Sequence, residues 1–148
     1  MRFASLILAL FMGVSLALAE DLGTYLRGFD YEERSAMKIQ TPELLVLLEE
    51  GKAQAIDIRF KEEFEAWHMG FSTNIPLNEL PERLDELDKS KLIVTLCPHN
   101  DRANLARIYL MLQGYNVRYL SDGLLRTADF LRGENAKEFM EEYRTVKK

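Results

Sequence analysis

The residues best suited to chemistry lie together in Cys97-Pro98-His99-Asn100-Asp101-Arg102-Ala103. An apolar, β-branched run over 92–96 delivers the only cysteine of the chain to a polar turn, and an amphipathic helix over roughly 103–113 follows. The first N–H groups of a helix lack partners and its dipole favours negative charge, so a strand–loop–helix junction of this kind is an anion site. A cysteine at its mouth is stabilised as thiolate, the nucleophilic form. Arg102 adds a permanent charge on a planar fork suited to oxyanions, and a protonated His99 would add to it. Pro98 removes one N–H from the cradle. Asp101 brings negative charge and is expected to cap the helix at Ala103. Cys97 is thus expected to be an accessible thiol of depressed pKa, with Asp101 opposing that direction. The competing reading is a small buried hydrophobe.

A second charged group, Asp57, Arg59, Glu63 and His68, follows an apolar strand over 53–58. It reads as an ion-pair and hydrogen-bond set tying the loop after that strand to its neighbours. With His68 and His99 the only histidines and no second cysteine, a metal site has almost no ligands to draw on, and no cofactor is implied.

These groups need a scaffold. The chain has 148 residues, 47% hydrophobic and 29% charged, which suits one globular domain and argues against disorder. Arg2, the uncharged run Phe3 to Leu18 and then Ala17-Leu18-Ala19 before Glu20 have the layout of a secretory signal peptide over 1–19. The run is short of the ~20 residues that span a bilayer, so no stable membrane span is expected after cleavage. Cleavage takes away Arg2 and no acid, so 19 basic residues become 18 against 24 acidic ones, a balance of −6. Nucleic acid is an unsuitable partner for such a chain. Export, most simply to the periplasm, would place a lone thiol in an oxidising space where it cannot pair within its own chain.

Residues 20–36 read as a charged N-terminal arm with a helical turn at 31–36, and 37–39 as a short edge strand. Thr41 as N-cap, Pro42 at N1 and Glu43 open a helix that buries Leu44, Leu45, Leu47 and Leu48 and stops at Gly51. A short helix over 61–67 follows the second strand. Leu77, Leu80, Leu84 and Leu87 recur at helical spacing, with Pro81 in the first turn. In the helix after Cys97, Leu105, Ile108, Tyr109 and Leu112 mark the apolar face, and Gly114 closes it. A strand over 116–120 and helices over 124–131 and 134–146 complete the chain. Strands alternating with helices imply an α/β domain with a largely parallel sheet, whose ligands bind beyond the carboxyl ends of the strands. Cys97 lies at such an end.

The ordered set Asp57-x-Arg59, Glu63-Phe64, His68, Asn74-Ile75-Pro76-Leu77, Cys97-x4-Arg102 and Asp122-Gly123 resembles the rhodanese-like domain over residues 37–131, leaving 132–148 as a C-terminal helical extension. The resemblance implies a five-stranded, mainly parallel sheet flanked by helices. It implies a sulfurtransferase or sulfane-sulfur carrier working through a persulfide on Cys97, with Arg102 as its catalytic partner. Pro98, His99, Asn100, Asp101 and Ala103 then form the substrate loop, and Asp57, Arg59, Glu63 and His68 support it. The implied partners are a small sulfur donor (thiosulfate, polysulfide or persulfide) and a thiol or cyanide-like acceptor. Loops of the active kind are usually rich in Arg, Gly and Ser, whereas this one reads Pro98-His99-Asn100-Asp101. Trp67, Gly70 and Phe71 also depart from the usual pattern, and Thr127 stands where tryptophan is common. Asp101 is expected to restrain reaction with dianionic thiosulfate.

Three other readings bear on the loop. A related phosphatase would need Cys-x5-Arg, but that position holds Ala103. Cys97-Pro98-His99-Asn100 is similar to the Cys-Pro-His-Cys motif of a thioredoxin-fold oxidant, with Asn100 in place of the resolving cysteine, so a two-thiol cycle within the chain is excluded. The third is a catalytically weak or inactive rhodanese-like scaffold that only binds, in the cell envelope.

Overall fold

The structure, a computed structural model, describes residues 21–146. The expected signal peptide at 1–19 lies outside the described residues. In chain order the elements are α1 (Leu22–Arg27), α2 (Tyr31–Ala36), β1 (Lys38–Ile39), α3 (Thr41–Glu49), β2 (Ala53–Asp57), α4 (Lys61–Ala66), β3 (Thr73–Asn74), β4 (Leu92–Leu96), α5 (Asp101–Leu112), β5 (Val117–Leu120), α6 (Gly123–Phe130) and α7 (Gly133–Val146). The five strands form one sheet in the order β1-β5-β4-β2-β3, with every pairing parallel.

β4 sits in the middle, which is why it reads as a continuous apolar run: a central parallel strand is buried on both faces. Its side chains alternate. Val94 and Leu96 join Ile39, Leu44, Leu48, Leu120, Leu124 and Phe139 in the core beneath α3, α6 and α7. Ile93 and Cys97 join Ile56, Ile58, Ala103, Ala106 and Leu110 in the core beneath α5. Cys97 therefore faces α5. β2 lies alongside in a register that sets Asp57 opposite Leu96, so the ends of both strands open at the same level.

Three local expectations need correction. α5 buries Ala103, Ala106, Arg107 and Leu110 rather than the expected Leu105, Ile108, Tyr109 and Leu112, and Leu105 is exposed. Small alanines let the helix lie close to the sheet, where the Thr95 hydroxyl donates to the Ala103 carbonyl at 2.8 Å. α3 begins at Thr41 itself. Gln40 holds the cap position, the Thr41 N–H goes to Asp122 Oδ2 at 2.8 Å, and the Thr41 hydroxyl lies 2.8 Å from that of Thr127. The leucines at 80–87 lie on two 3-10 turns, Leu80–Glu82 and Leu84–Glu86, because Arg83 leaves helical geometry between them (φ −123°, ψ 26°). An i, i+3 repeat suits a 3-10 turn as well as an α-helix, so spacing alone does not separate them.

The arm is more ordered than its sequence indicates. Asp21 and Asp30 cap α1 and α2 by accepting the N–H groups of Thr24 and Glu33. Tyr25 and Glu33 converge on Arg107, a nearly buried cation of α5. Arg107 donates to the Tyr25 hydroxyl at 2.6 Å, pairs with Glu33 and lies over the Tyr25 ring. Arg107→Ala should detach the arm and speed tryptic cleavage at Arg27 and Arg34 severalfold while leaving the far-UV circular dichroism of the domain in place. Unchanged cleavage would show that other contacts hold the arm.

Candidate active site

β4 carries Cys97 to its carboxyl end, and two helix N-termini meet there. From one side, Leu124 and Leu125 at the start of α6 donate their N–H groups to the carbonyls of Cys97 (2.9 Å) and Pro98 (3.4 Å). Gly123 makes this approach possible. Its φ is 72°, and a Cβ there would stand 2.4 Å from the carbonyl oxygens of both Pro98 and His99. From the other side, α5 starts directly over the thiol. The Ala103 N–H points at Cys97 Sγ across 3.3 Å, and the Cys97 S–H faces Asp101 Oδ1 at 3.7 Å.

This geometry overturns the expectation of an accessible thiol of depressed pKa. Cys97 is fully buried, and burial pushes its pKa above the ordinary thiol value. Hydrogen bonds from the backbone of Ala103, His99 and Arg102 pull the other way, while the Asp101 charge pushes further up. The anion cradle is present, but desolvation outweighs it because a thiolate held away from water loses more than these amides return.

The helix begins at Asp101, two residues before the expected start, and Asn100 holds the cap position without a side-chain cap bond. Asp101 is therefore a first-turn residue and not the cap at Ala103. Its carboxyl is held below the usual range, chiefly by the Arg102 N–H. A carboxylate there also complements the dipole of the helix. Asn100 reaches the Ser121 carbonyl at 3.4 Å. Pro98 is half-buried, and His99 and Asn100 are exposed, so the middle of the loop faces solvent.

Arg102, the cation expected to meet an oxyanion, grips Glu63 instead. Nη1 donates to Oε2 at 2.7 Å and Nη2 to Oε1 at 2.9 Å. The bond holds the Glu63 carboxyl below its ordinary range and raises the pKa of Arg102. Glu63 also accepts the Phe60 N–H at 3.2 Å. Asp57 and Arg59 form the tie anticipated after β2. Arg59 Nε donates to both Asp57 oxygens (2.9 and 3.1 Å), Nη2 donates to Oδ2 (2.7 Å) and to the Trp67 carbonyl (2.8 Å), and the guanidinium lies 4.4 Å from the Trp67 ring. His68 stays on the surface, stacked on Phe64 with Nδ1 2.9 Å from the Phe64 carbonyl. The four residues thus do not form one cluster: Glu63 reaches across to the loop, and His68 stands apart.

Sequence reasoning left two contributors without a role. The Asn74 side chain donates to the carbonyls of both Asp57 and Arg59 at 2.9 Å, and Trp67 covers the Arg59 guanidinium. Asn74 sat within the motif Asn74-Ile75-Pro76-Leu77, but only the fold shows what it bridges. Among the described residues no group of three His, Cys, Asp or Glu could hold a metal ion, and no helix is long and apolar enough to cross a membrane.

The profile of the rhodanese-like domain matches residues 40–127. The chain belongs to the rhodanese-like domain family. Thiosulfate sulfurtransferase GlpE of Pseudomonas syringae is 30% identical over 82 residues, covering 55% of this chain and 77% of its own. An HTH-type transcriptional regulator of Mycobacterium tuberculosis is 36% identical over 93 residues, and the match spans only 39% of that protein. Among solved structures, the CoADR-RHD of Bacillus anthracis aligns with a TM-score of 0.61 and 30% identity over 67% of this chain and 18% of that one. A rhodanese-related protein of Thermoplasma volcanium shares the fold at a TM-score of 0.57 and 24% identity, covering 62% of this chain and 90% of its own. The matched region is thus a small part of some of these proteins and nearly the whole of another.

A protonated thiol is favoured in the fold, so its contribution to stability is present below the ordinary thiol pKa and is lost as pH rises from there through the raised folded value. Alkylation of Cys97 should follow a midpoint above that of free cysteine. Asp101→Asn should move the midpoint down by removing a like charge. Iodoacetamide rates across a pH series check both, and a midpoint below free cysteine would restore the depressed-thiol reading.

Proposed function

We propose that this rhodanese-like protein carries sulfane sulfur as a persulfide on Cys97. The observation that carries the reading is the placement of Sγ at the end of the central strand, beneath the first turn of a 12-residue helix with an amide N–H aimed at it. The membership in a sulfurtransferase-type family and the distant likeness to a thiosulfate sulfurtransferase support it.

The chemistry needs no metal and no net oxidant. The thiol loses its proton to solvent, and the thiolate attacks the outer sulfur of a donor R–S–SH. The S–S bond of the donor breaks, R–S⁻ leaves, and Cys97–S–SH remains. An acceptor thiolate then attacks that outer sulfur, and Cys97 departs as thiolate. With thiosulfate the same attack on the outer sulfur releases sulfite. Backbone amides suit the terminal sulfur of the ionised persulfide, which carries one charge and asks for donors rather than for a cation. The raised thiol pKa slows the first step near neutral pH by lowering the thiolate fraction. Occupation of Arg102 by Glu63 favours the rival reading, a scaffold that binds without turnover.

Intact-mass measurement separates the two. After incubation with polysulfide the protein should gain the mass of one sulfur, reversibly with cyanide or a thiol, and Cys97→Ser should gain none. A wild-type chain that acquires no sulfur from polysulfide, thiosulfate or a persulfide would leave the binding scaffold as the function.

Export belongs to the same proposal and rests on Ala17-Leu18-Ala19 after a short apolar run. The mature chain should begin at Glu20, as intact mass of protein from the envelope of the producing cell would show. A chain still starting at Met1 would sink this part.

A further inference from the structure

Arg102 is the only arginine or lysine of the Cys97 loop, and one N–H on each of its two terminal nitrogens is held by one carboxylate, which neutralises its charge. That carboxylate is itself held. Glu63 accepts the Phe60 N–H from the start of α4, and α4 is hung between the buried Arg59 and the Trp67 carbonyl that Arg59 grips. A second carboxylate, Asp101, stands 3.7 Å from the thiol sulfur. Glu63, Arg102 and Asp101 together bring one positive and two negative charges to the sulfur, with backbone amides as its direct donors.

We propose that Glu63 is a donor-specificity residue that acts through Arg102, disfavouring dianionic oxyanion donors at the loop and leaving it to persulfide donors, which carry at most one charge on the persulfide group. This rests on the sulfur-carrier reading for its consequence, though the binding step it describes can be measured without turnover. Thiosulfate presents three sulfonate oxygens that need a charged fork. At that fork it meets a cation whose charge is already cancelled by a carboxylate tethered beside it, with Nε–H and the outer Nη hydrogens left as donors of a neutral pair. It must also pass Asp101. A persulfide asks only that its outer sulfur reach Sγ, and its leaving group carries one charge away from the site. Discrimination here comes from repulsion and from a neutralised fork, which is specificity by exclusion.

The test has two arms. In the first, Cys97→Ser and Cys97→Ser/Glu63→Gln proteins are titrated with thiosulfate, and the Arg102 Nε–H resonance is followed by NMR. The Glu63→Gln background should bind about tenfold tighter, the scale of one charge-assisted hydrogen bond. Adding Arg102→Gln should remove that gain. In the second arm, with Cys97 restored, the ratio of KM for thiosulfate to KM for N-acetylcysteamine persulfide should fall by about the same tenfold factor in Glu63→Gln, with the change in KM rather than kcat. A merely structural role for Glu63 would loosen both donors alike and would survive Arg102→Gln. Equal thiosulfate binding with and without Glu63, in proteins whose thermal unfolding shows them folded, overturns the inference. If no donor ever loads Cys97, the sulfur-carrier reading falls, while the binding arm still decides whether Glu63 disfavours thiosulfate at the fork.

Discussion

The site depends on the ion pair between Asp57 and Arg59, from which water is almost wholly excluded. Two charges taken out of water lose several kcal/mol each in solvation, and only good geometry with the remaining donors satisfied recovers it. Asp57 accepts both the guanidinium and the Arg59 N–H, and Arg59 extends to the Trp67 carbonyl. Asn74 clasps the backbone on either side of Ile58. The end of β2, the whole of α4 and the short edge strand β3 are thereby fixed relative to one another. Removing one partner would leave the other as an uncompensated buried charge, so the three elements hold their places together or lose them together.

What that constraint positions is a sulfur with mixed surroundings. The same closure that shelters the thiol from solvent also makes its ionisation harder, and the amides aimed at it recover only part of the loss. The cation beside it is neutralised by a residue from α4, which the buried pair aims. Protection of the sulfur and activation of the sulfur are opposed here, and the balance lies on the side of protection.

The sheet was legible where one physical cause dominates. β4 is buried on both faces, so its apolar run could only be a central strand, and the polar turn after Cys97 marks where the sheet stops. The buried face of α5 was not legible, because burial there goes to Ala103 and Ala106, whose small size lets backbones approach, while Leu105 points outward. Chemical types at the site could be read from Cys97 and Arg102, but their state could not. The partner of Arg102 is 39 residues away, and nothing local in the sequence says that Glu63 will reach it. The direction of the Cys97 pKa depends on how much water the fold removes, a tertiary quantity that the loop sequence does not contain. Arg107 shows the same limit: a charge in the middle of a helix reads as surface until Tyr25 and Glu33 arrive to cover it.

The placement of the N-terminal segment has a consequence for how the chain assembles. β1 pairs with β5, and Tyr25 meets Arg107 across 82 residues of sequence. At a synthesis rate of about 5–20 residues per second, the arm emerges on the order of 10 s before its partners exist. Until then Ile39, which ends in the core, has no sheet to join, and closing so long a loop carries an entropy that few early contacts offset. The first part of the domain to be made therefore waits for partners made about 80 residues later, and until β5 emerges one edge of the growing sheet has no strand β1 can pair with.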